Sequence, residues 1–252
     1  MKIVKGIINI FLMVLFITGS TSAYAEKDKN YSYQVLTPDM SKAAIENMGS
    51  KSNVLFIVDF SNSMNDKIGK RSKLEVALET LNSILPQIPP SVKTGLRVYG
   101  HKGGFTYMQG CTASKLLVPL GTNNSAAIQG ALASTNAVGW TPITYSLKCA
   151  VNSDFAGVMG KKHIILLTDG GENCDESPCT YAIELMKTRN DISIDVIAFD
   201  IFDQDAINQL KCTALTTSGK FYTANSQNEL KDSLFNILNV DKSVKGTIKV
   251  NP

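Results

Sequence analysis

One short stretch, residues 54–63, constrains this chain more than any other part of its sequence. Five apolar residues (Val-Leu-Phe-Ile-Val) run without interruption up to Asp59, and two hydroxyl side chains, Ser61 and Ser63, follow at alternate positions. A short run that is rich in β-branched and aromatic residues predicts a strand buried on both faces of a sheet. In α/β folds, ligands bind in the crevice beyond the carboxyl ends of such strands. The stretch therefore predicts a buried strand with a polar site at its end.

The three polar side chains of this stretch offer only oxygen donors. Asp59 carries a carboxylate, and Ser61 and Ser63 carry neutral hydroxyls. Hard divalent cations such as Mg²⁺ require oxygen ligands. A structural alternative exists, because a serine that follows a strand commonly caps a helix. The Asp-x-Ser-x-Ser triplet by itself leaves both interpretations open.

The triplet resembles the metal-ion-dependent adhesion site (MIDAS) of von Willebrand factor type A (vWA) domains. That site also uses a threonine from a later loop and an aspartate after the fourth strand. Thr141 in Gly-Trp-Thr-Pro-Ile and Asp169 in Leu-Leu-Thr-Asp-Gly match these two parts. The resemblance implies a metal site made of Asp59, Ser61, Ser63, Thr141 and Asp169. It also implies Mg²⁺ as the ion, with Mn²⁺ or Ca²⁺ as alternatives, and direct ligation by the two serines.

Strand-like and helix-like segments alternate through the rest of the chain. Strands are predicted near 94–99, 115–120, 163–168, 195–199 and 220–223, and helices near 72–85, 125–134, after Pro142, after Pro178, 203–217 and 226–239. This alternation predicts a mostly parallel sheet that is covered on both faces. Pro119 predicts an edge position for the third strand. A doubly wound, Rossmann-like α/β fold with six strands is also what the vWA resemblance implies.

Apolar spacing predicts the buried face of the first helix. The residues at helical spacing are Leu74, Ala77, Leu78, Leu81 and Leu85. Such a stripe is expected to face the sheet.

The first 25 residues have the pattern of a secretory signal peptide. Lys2 and Lys5 precede an apolar core over 7–17, and Ala-Tyr-Ala at 23–25 matches the cleavage pattern. An uncleaved anchor is the alternative, but the core falls short of the ~20 residues that a membrane span needs. We expect an exported protein, periplasmic or extracellular, without stable membrane insertion after cleavage. Residues 26–51 are then an N-terminal arm, 52–240 the vWA domain and 241–252 a C-terminal tail.

The net charge of the chain indicates which classes of partner are expected. The chain has 25 basic and 22 acidic residues, and signal cleavage would leave 23 basic residues. A nearly neutral mature chain argues against nucleic acid as a dominant electrostatic partner. The sequence does not indicate an oligomeric state.

All five cysteines lie beyond the signal pattern, so disulfides are expected in an exported chain. Cys174 and Cys179 are close in sequence around a turn and are predicted to pair, with Cys111 and Cys212 as a second bridge. Cys149, among apolar residues of a helix, is the predicted free thiol. A zinc site is the alternative for closely spaced cysteines, but it would need two further converging ligands.

The vWA resemblance implies a binding module of adhesion or assembly type and no catalysis. Neutral hydroxyls leave the cation much of its charge, so it attracts an aspartate or glutamate of a partner protein. Trp140 and His101 are candidate partner contacts; a half-buried structural ring and a loop-ordering imidazole are their alternatives. A metal-assisted phosphohydrolase is a second hypothesis, although no general base is found near the predicted site and the sequence has no Gly-x-Ser-x-Gly motif. A structural domain whose metal only braces loops is a third.

Overall fold

A six-stranded sheet forms the centre of residues 53–238, the part of the chain that this computed structural model describes. Its strands are β1 (Asn53–Asp59), β4 (Lys93–Tyr99), β5 (Ser114–Gly121), β6 (Lys162–Thr168), β7 (Ile192–Phe199) and β8 (Phe221–Ala224). They lie in the order β5-β4-β1-β6-β7-β8, and every pair is parallel except the antiparallel β4–β5 pair. The predicted mostly parallel sheet is therefore confirmed, and Pro119 lies in edge strand β5.

Helices cover both faces of this sheet, as predicted. They are α1 (Lys73–Ile84), α2 (Tyr107–Cys111), α3 (Ser125–Ala133), α4 (Ile143–Cys149), α5 (Pro178–Met186), α6 (Gln204–Thr216) and α7 (Gln227–Leu238). Helices α1, α3 and α7 contribute to the core on one face, and α4, α5 and α6 to the core on the other. No helix within residues 53–238 is both long and apolar enough to cross a membrane.

A hairpin and a short helix are among the small elements that were not predicted. A hairpin of two-residue strands, β2 (Lys67–Ile68) and β3 (Arg71–Ser72), lies within the predicted loop before α1. Helix α2 lies in the loop between β4 and β5. Both elements are too short to leave a periodic pattern in the sequence. The predicted signal peptide, arm and tail lie outside the described residues.

Every residue of β1 is buried. Val54, Phe56 and Val58 belong to the core beneath α1, α3 and α7, whereas Leu55 and Ile57 belong to the opposite core. Burial of one such side chain contributes roughly 1.5–3 kcal/mol. This single strand therefore supports both layers of the domain, and its carboxyl end is fixed between them.

Helix α1 begins with the capping box that its sequence predicts. Ser72 Oγ accepts a hydrogen bond from the Glu75 backbone N–H, and the Ser72 N–H donates to Glu75 Oε2. The predicted buried face is partly wrong: Leu74 and Leu78 pack only at the margin of the core. The buried residues are Lys73, Val76, Ala77, Thr80, Leu81 and Ile84. The predicted stripe contains only Ala77 and Leu81 of these six; it missed Lys73 and Thr80 because they are polar, and Val76 and Ile84 because it was placed about one residue off the buried face.

A buried ion pair joins β4 to the segment after α4. Arg97 donates through Nε and Nη2 to the two carboxylate oxygens of Asp154, at 2.6 and 2.7 Å. The side chains are only 6% and 3% exposed. Each charge is thus compensated where water cannot reach it.

We predict that Asp154→Ala lowers the free energy of unfolding by about 3–5 kcal/mol, because it leaves a buried guanidinium unpaired. Urea denaturation monitored by circular dichroism measures the change. Glu184→Ala, which breaks an exposed pair with Lys187, is the matched control and should have little effect. An equally small effect for both variants would contradict the prediction.

Candidate metal centre

Two neighbouring parallel strands, β1 and β6, end side by side and bring distant oxygen donors together. Asp59 ends β1, and Asp169 follows the last residue of β6. Ser63 Oγ donates to Asp169 Oδ1 at 2.8 Å, and the hydroxyls of Ser61 and Ser63 are 3.1 Å apart. Residues separated by more than 100 positions in the chain therefore share one cluster of oxygens.

Asp59 lies at the base of this cluster and is completely buried. Its Oδ1 accepts a hydrogen bond from the Ser61 backbone N–H at 2.7 Å, and its Oδ2 accepts one from Thr168 Oγ at 2.8 Å. These bonds fix the orientation of the carboxylate. Thr168 was not singled out from the sequence, although it directly precedes Asp169.

The loop that carries Thr141 runs beside the serine loop. Gly139 pairs with Ser61 in an isolated parallel bridge, and the Asn62 N–H donates to the Gly139 carbonyl at 3.0 Å. Thr141 itself is buried, and its N–H donates to Asn173 Oδ1 at 2.8 Å. The fifth predicted metal-binding residue thus lies at the same edge of the sheet. Asn173, which holds its backbone, was missed by sequence reasoning.

Glycine at position 100 allows this close approach. Gly100 follows β4 with φ +70°, and a Cβ there would lie 2.5 Å from the Ser61 nitrogen. A side chain at this position would push the serine loop away from its place. Gly100, within the sequence Arg-Val-Tyr-Gly-His at 97–101, therefore allows the serine loop to lie close to the end of β4.

Lys73 is the main component of the site that sequence reasoning missed. Its ammonium is 3.2 Å from Asp169 Oδ2 and 3.3 Å from Asp200 Oδ2, and its side chain is only 10% exposed. A signal was available, because Lys73 lies three and four residues before the buried Val76 and Ala77 and so shares their helix face. A lysine on a buried face must meet a counter-charge.

One oxygen of the cluster lacks a hydrogen bond. Asp169 Oδ2 is buried and accepts none from the described residues, although Lys73 lies at ion-pair distance. Buried polar atoms are rarely left in this state. Beyond its ion pair with Lys73, this carboxylate oxygen keeps acceptor capacity that an oxygen-coordinated cation beside the two hydroxyls would use.

Electrostatics favour a cation as well. Burial, reinforced by the charge of Asp169, raises the pKa of Asp59 to about 6. Burial also raises the pKa of Asp169, while Ser63 and Lys73 oppose that shift. A bound cation would stabilise both ionised carboxylates and compete with their protons. Metal affinity is therefore expected to weaken as the pH falls below about 6.

The donor chemistry fits Mg²⁺ or Mn²⁺. Within residues 53–238, no group of three or more His, Cys, Asp or Glu side chains converges as a metal site. The cluster instead combines two carboxylates with hydroxyls, which is an all-oxygen set suited to hard cations. The residues that could hold such an ion are those predicted from the sequence: Asp59, Ser61, Ser63, Thr141 and Asp169.

The two candidate partner contacts lie near this edge in different settings. Trp140 is half-buried, and the Tyr107 ring meets it edge-on at a centroid distance of 5.7 Å. His101 lines a 410 Å³ cavity together with Lys102 and Lys115. Burial, followed by the charges of these lysines, lowers the pKa of His101. A neutral His101 beside two lysines is thus the expected state.

Both predicted disulfide pairings are wrong. Cys111 is bonded to Cys174, and Cys179 is bonded to Cys212, which leaves Cys149 as the free cysteine, as predicted. Closeness in sequence misled the prediction. Cys179 lies in α5, which packs against α6 and Cys212, whereas Cys174 lies in the preceding loop and meets the end of α2.

We predict that Lys73→Met enlarges the rise in melting temperature that Mg²⁺ produces, while lowering the melting temperature in EDTA. The reason is that methionine keeps the apolar stem but removes the charge that neutralises Asp169 without metal. Differential scanning calorimetry of both states measures the effect. Lys187→Met, from an exposed pair, is the control. A Mg²⁺-induced rise no larger than that of the unaltered protein would show that Lys73 does not compete with the cation.

Comparison with known proteins identifies the family of this domain. The sequence profile of the von Willebrand factor type A domain matches residues 53–236. YwmD, an uncharacterized protein of Bacillus subtilis (strain 168), is 27% identical over 187 residues, which cover 72% of this chain and 82% of YwmD.

Solved structures show the same fold. A von Willebrand factor type A protein from Catenulispora acidiphila matches with a TM-score of 0.59 at 19% identity, over 75% of this chain and 42% of that chain. Proximal thread matrix protein 1 from the mussel byssus, with a zinc-occupied MIDAS motif, gives 0.56 at 20% identity, over 74% and 44%. This chain therefore spans less than half the length of either structure. Since the family profile covers most of the chain, the protein belongs to the von Willebrand factor type A domain family.

Proposed function

We propose that the chain is an exported protein-binding module of adhesion or assembly type that acts through a bound divalent cation. The cation is held by Asp59, Ser61, Ser63, Thr141 and Asp169, and it binds an aspartate or glutamate side chain of a partner protein. The observation that carries the proposal is the contact of Ser63 Oγ with Asp169 Oδ1, next to a buried Asp169 Oδ2 whose one close partner is the ion-paired Lys73. Domains of this family are commonly protein-interaction modules with a MIDAS.

The charge of the site favours an acidic ligand. Several donors are neutral hydroxyls, and Lys73 already offsets part of the charge of Asp169. A divalent cation in this setting keeps excess positive charge, so a carboxylate is a stronger additional ligand than water. The role of the protein is to hold the donors in place and to leave one position of the cation accessible.

The relatives support a metal but leave its identity open. The mussel protein has zinc in its MIDAS. Zinc favours nitrogen and sulfur ligands, whereas this cluster offers oxygens only. We therefore assign Mg²⁺ as the physiological ion, with Mn²⁺ or Ca²⁺ as substitutes.

Export rests on two independent features. Residues 1–25 have the signal-peptide pattern, and two disulfides link loops and helices of the domain. Disulfides form and persist in oxidising compartments outside the cytoplasm. The proposal therefore places the domain in the periplasm or the extracellular space.

The proposal assigns no catalytic step to the cluster. Within the described residues, the groups that contact Asp59 and Asp169 are hydroxyls, one backbone N–H and the ion-paired Lys73. None of these is poised as a general base for an attacking water. The interaction with a partner carboxylate is reversible coordination.

We predict that Asp59→Asn weakens Mg²⁺ binding about 10- to 100-fold or more, because it removes a charge while preserving the shape of the side chain. Isothermal titration calorimetry measures the affinity, and circular dichroism checks the fold. Glu184→Gln, on the exposed face of α5, is the matched control. Equal Mg²⁺ affinity in all three proteins would refute the assigned site.

We predict that partner binding needs both the metal and a carboxylate. A phage-displayed library of random 12-residue peptides is selected on the immobilised domain in Mg²⁺ and eluted with EDTA. The eluted peptides should contain a Glu or Asp whose replacement by Gln or Asn abolishes binding, and the Asp59→Asn domain should not retain them. Peptides that bind equally well in EDTA would instead indicate a metal that only braces loops.

A further inference from the structure

We propose that an apolar rim beside the metal centre binds a large apolar side chain of the partner, next to the acidic residue that reaches the cation. The rim consists of Phe105, Tyr107, Met108, Val138 and Trp140. This inference rests on the proposed function and adds to it the chemistry of the partner segment: an acidic residue with an apolar neighbour.

The rim exposes an unusual amount of apolar side chain. Phe105 is fully exposed, Met108 is 71% exposed and Val138 is 52% exposed. Tyr107 is 43% exposed and stacks edge-on against the half-buried Trp140. Single exposed apolar residues are normal on a protein surface, but several in adjoining loops indicate an interaction site.

The local sequence explains why the Phe105 ring is exposed. It directly precedes Thr106, the residue that caps the N-terminus of α2. An apolar residue in this position usually packs on the fourth residue of the helix, which here is Gly110 and has no side chain. A Cβ at Gly110 would lie 2.8 Å from the Trp140 ring. The glycine therefore makes room for Trp140 and leaves Phe105 facing solvent.

The rim is continuous with the metal centre. The Val138 N–H donates to the carbonyl of Phe60, which lies between Asp59 and Ser61. Trp140 directly precedes Thr141. A segment whose carboxylate reaches the cation would therefore have its neighbouring residues over this rim.

The rim is also held in place before any partner arrives. The disulfide between Cys111 and Cys174 ties the end of α2 to the loop that follows Asp169. In the same loop, Asn173 Oδ1 accepts a hydrogen bond from the Thr141 N–H. A preorganised surface reduces the ordering cost of binding, so even one apolar contact can contribute measurable affinity.

The charges around the rim favour one kind of partner segment. The 410 Å³ cavity beside α2 is lined by Lys102, Lys115 and His101, and no carboxylate lines it. Around Tyr107 the charges are negative instead: its hydroxyl interacts with Asp175, and the charges of Asp175, Glu172 and Glu176 contribute to raising its pKa. A partner segment with acidic and apolar residues that extends from the cation toward Lys102 and Lys115 is attracted by the charges of these two lysines. A basic segment would be repelled there.

The test uses the chelator-eluted phage peptides and their synthetic consensus. Most eluted peptides should carry Leu, Met, Phe or Trp within two residues of the essential acid. The single tryptophan of the chain, Trp140, reports binding through its fluorescence. The double variant Phe105→Ser/Met108→Ser should bind the consensus peptide about tenfold more weakly or worse, with Mg²⁺ affinity unchanged. Met159→Ser, which removes an equally exposed side chain between α4 and β6, should bind normally.

Each other outcome overturns a defined part of the proposal. The eluted peptides could share an acidic residue without an apolar neighbour and bind the double variant normally. This result would refute the binding role of the rim and leave the proposed function intact. A library that yields no chelator-eluted peptide would refute both. If the unaltered domain binds anionic phospholipid vesicles and the double variant does not, the rim is a membrane contact. If the unaltered domain self-associates and the double variant does not, the rim binds a second copy of the chain. Either result would refute a peptide partner.

Discussion

The buried carboxylate of Asp59, at the end of the strand that both cores share, is the constraint on which the site depends. A charge in this position is unfavourable unless hydrogen bonds and a counter-charge compensate it. Ser61 and Thr168 supply two hydrogen bonds, and they are drawn from the ends of β1 and β6. Lys73 lies against Asp169 and Asp200, so in the proposed function a bound cation would supply the counter-charge of Asp59. Burial of one acid thus couples the geometry of the sheet to the proposed metal binding.

The loops around the candidate metal centre are held together by contacts between them, which the sheet alone would not provide. Gly100 lets β4 pass against the serine loop, and Asn173 holds the backbone of Thr141. The Cys111–Cys174 disulfide joins the end of α2, which carries part of the rim, to the loop that follows Asp169. A surface built in this way needs little rearrangement to receive a ligand, which suits a module whose proposed work is reversible binding.

Sequence reasoning predicted the elements whose signal is local. The apolar run before Asp59, the proline that starts α5 and the capping box of α1 each predicted its element, because each depends on residues close in the chain. It missed Lys73 because the helix pattern was sought among apolar residues only. It paired the cysteines wrongly because separation along the chain does not indicate which helix faces which.

The sequence by itself determined that a buried apolar strand ends in polar residues and that strands alternate with helices, because both follow from residue type and periodicity. It also determined the oxygen chemistry of the candidate metal ligands, which are Asp59, Ser61, Ser63, Thr141 and Asp169. Only the tertiary structure decided that Ser63 meets Asp169, that Lys73 neutralises that carboxylate and that Cys111 bonds Cys174. These contacts join residues far apart in the chain. Their distances are set by how parallel strands align and how helices pack on them, and no local pattern encodes that arrangement.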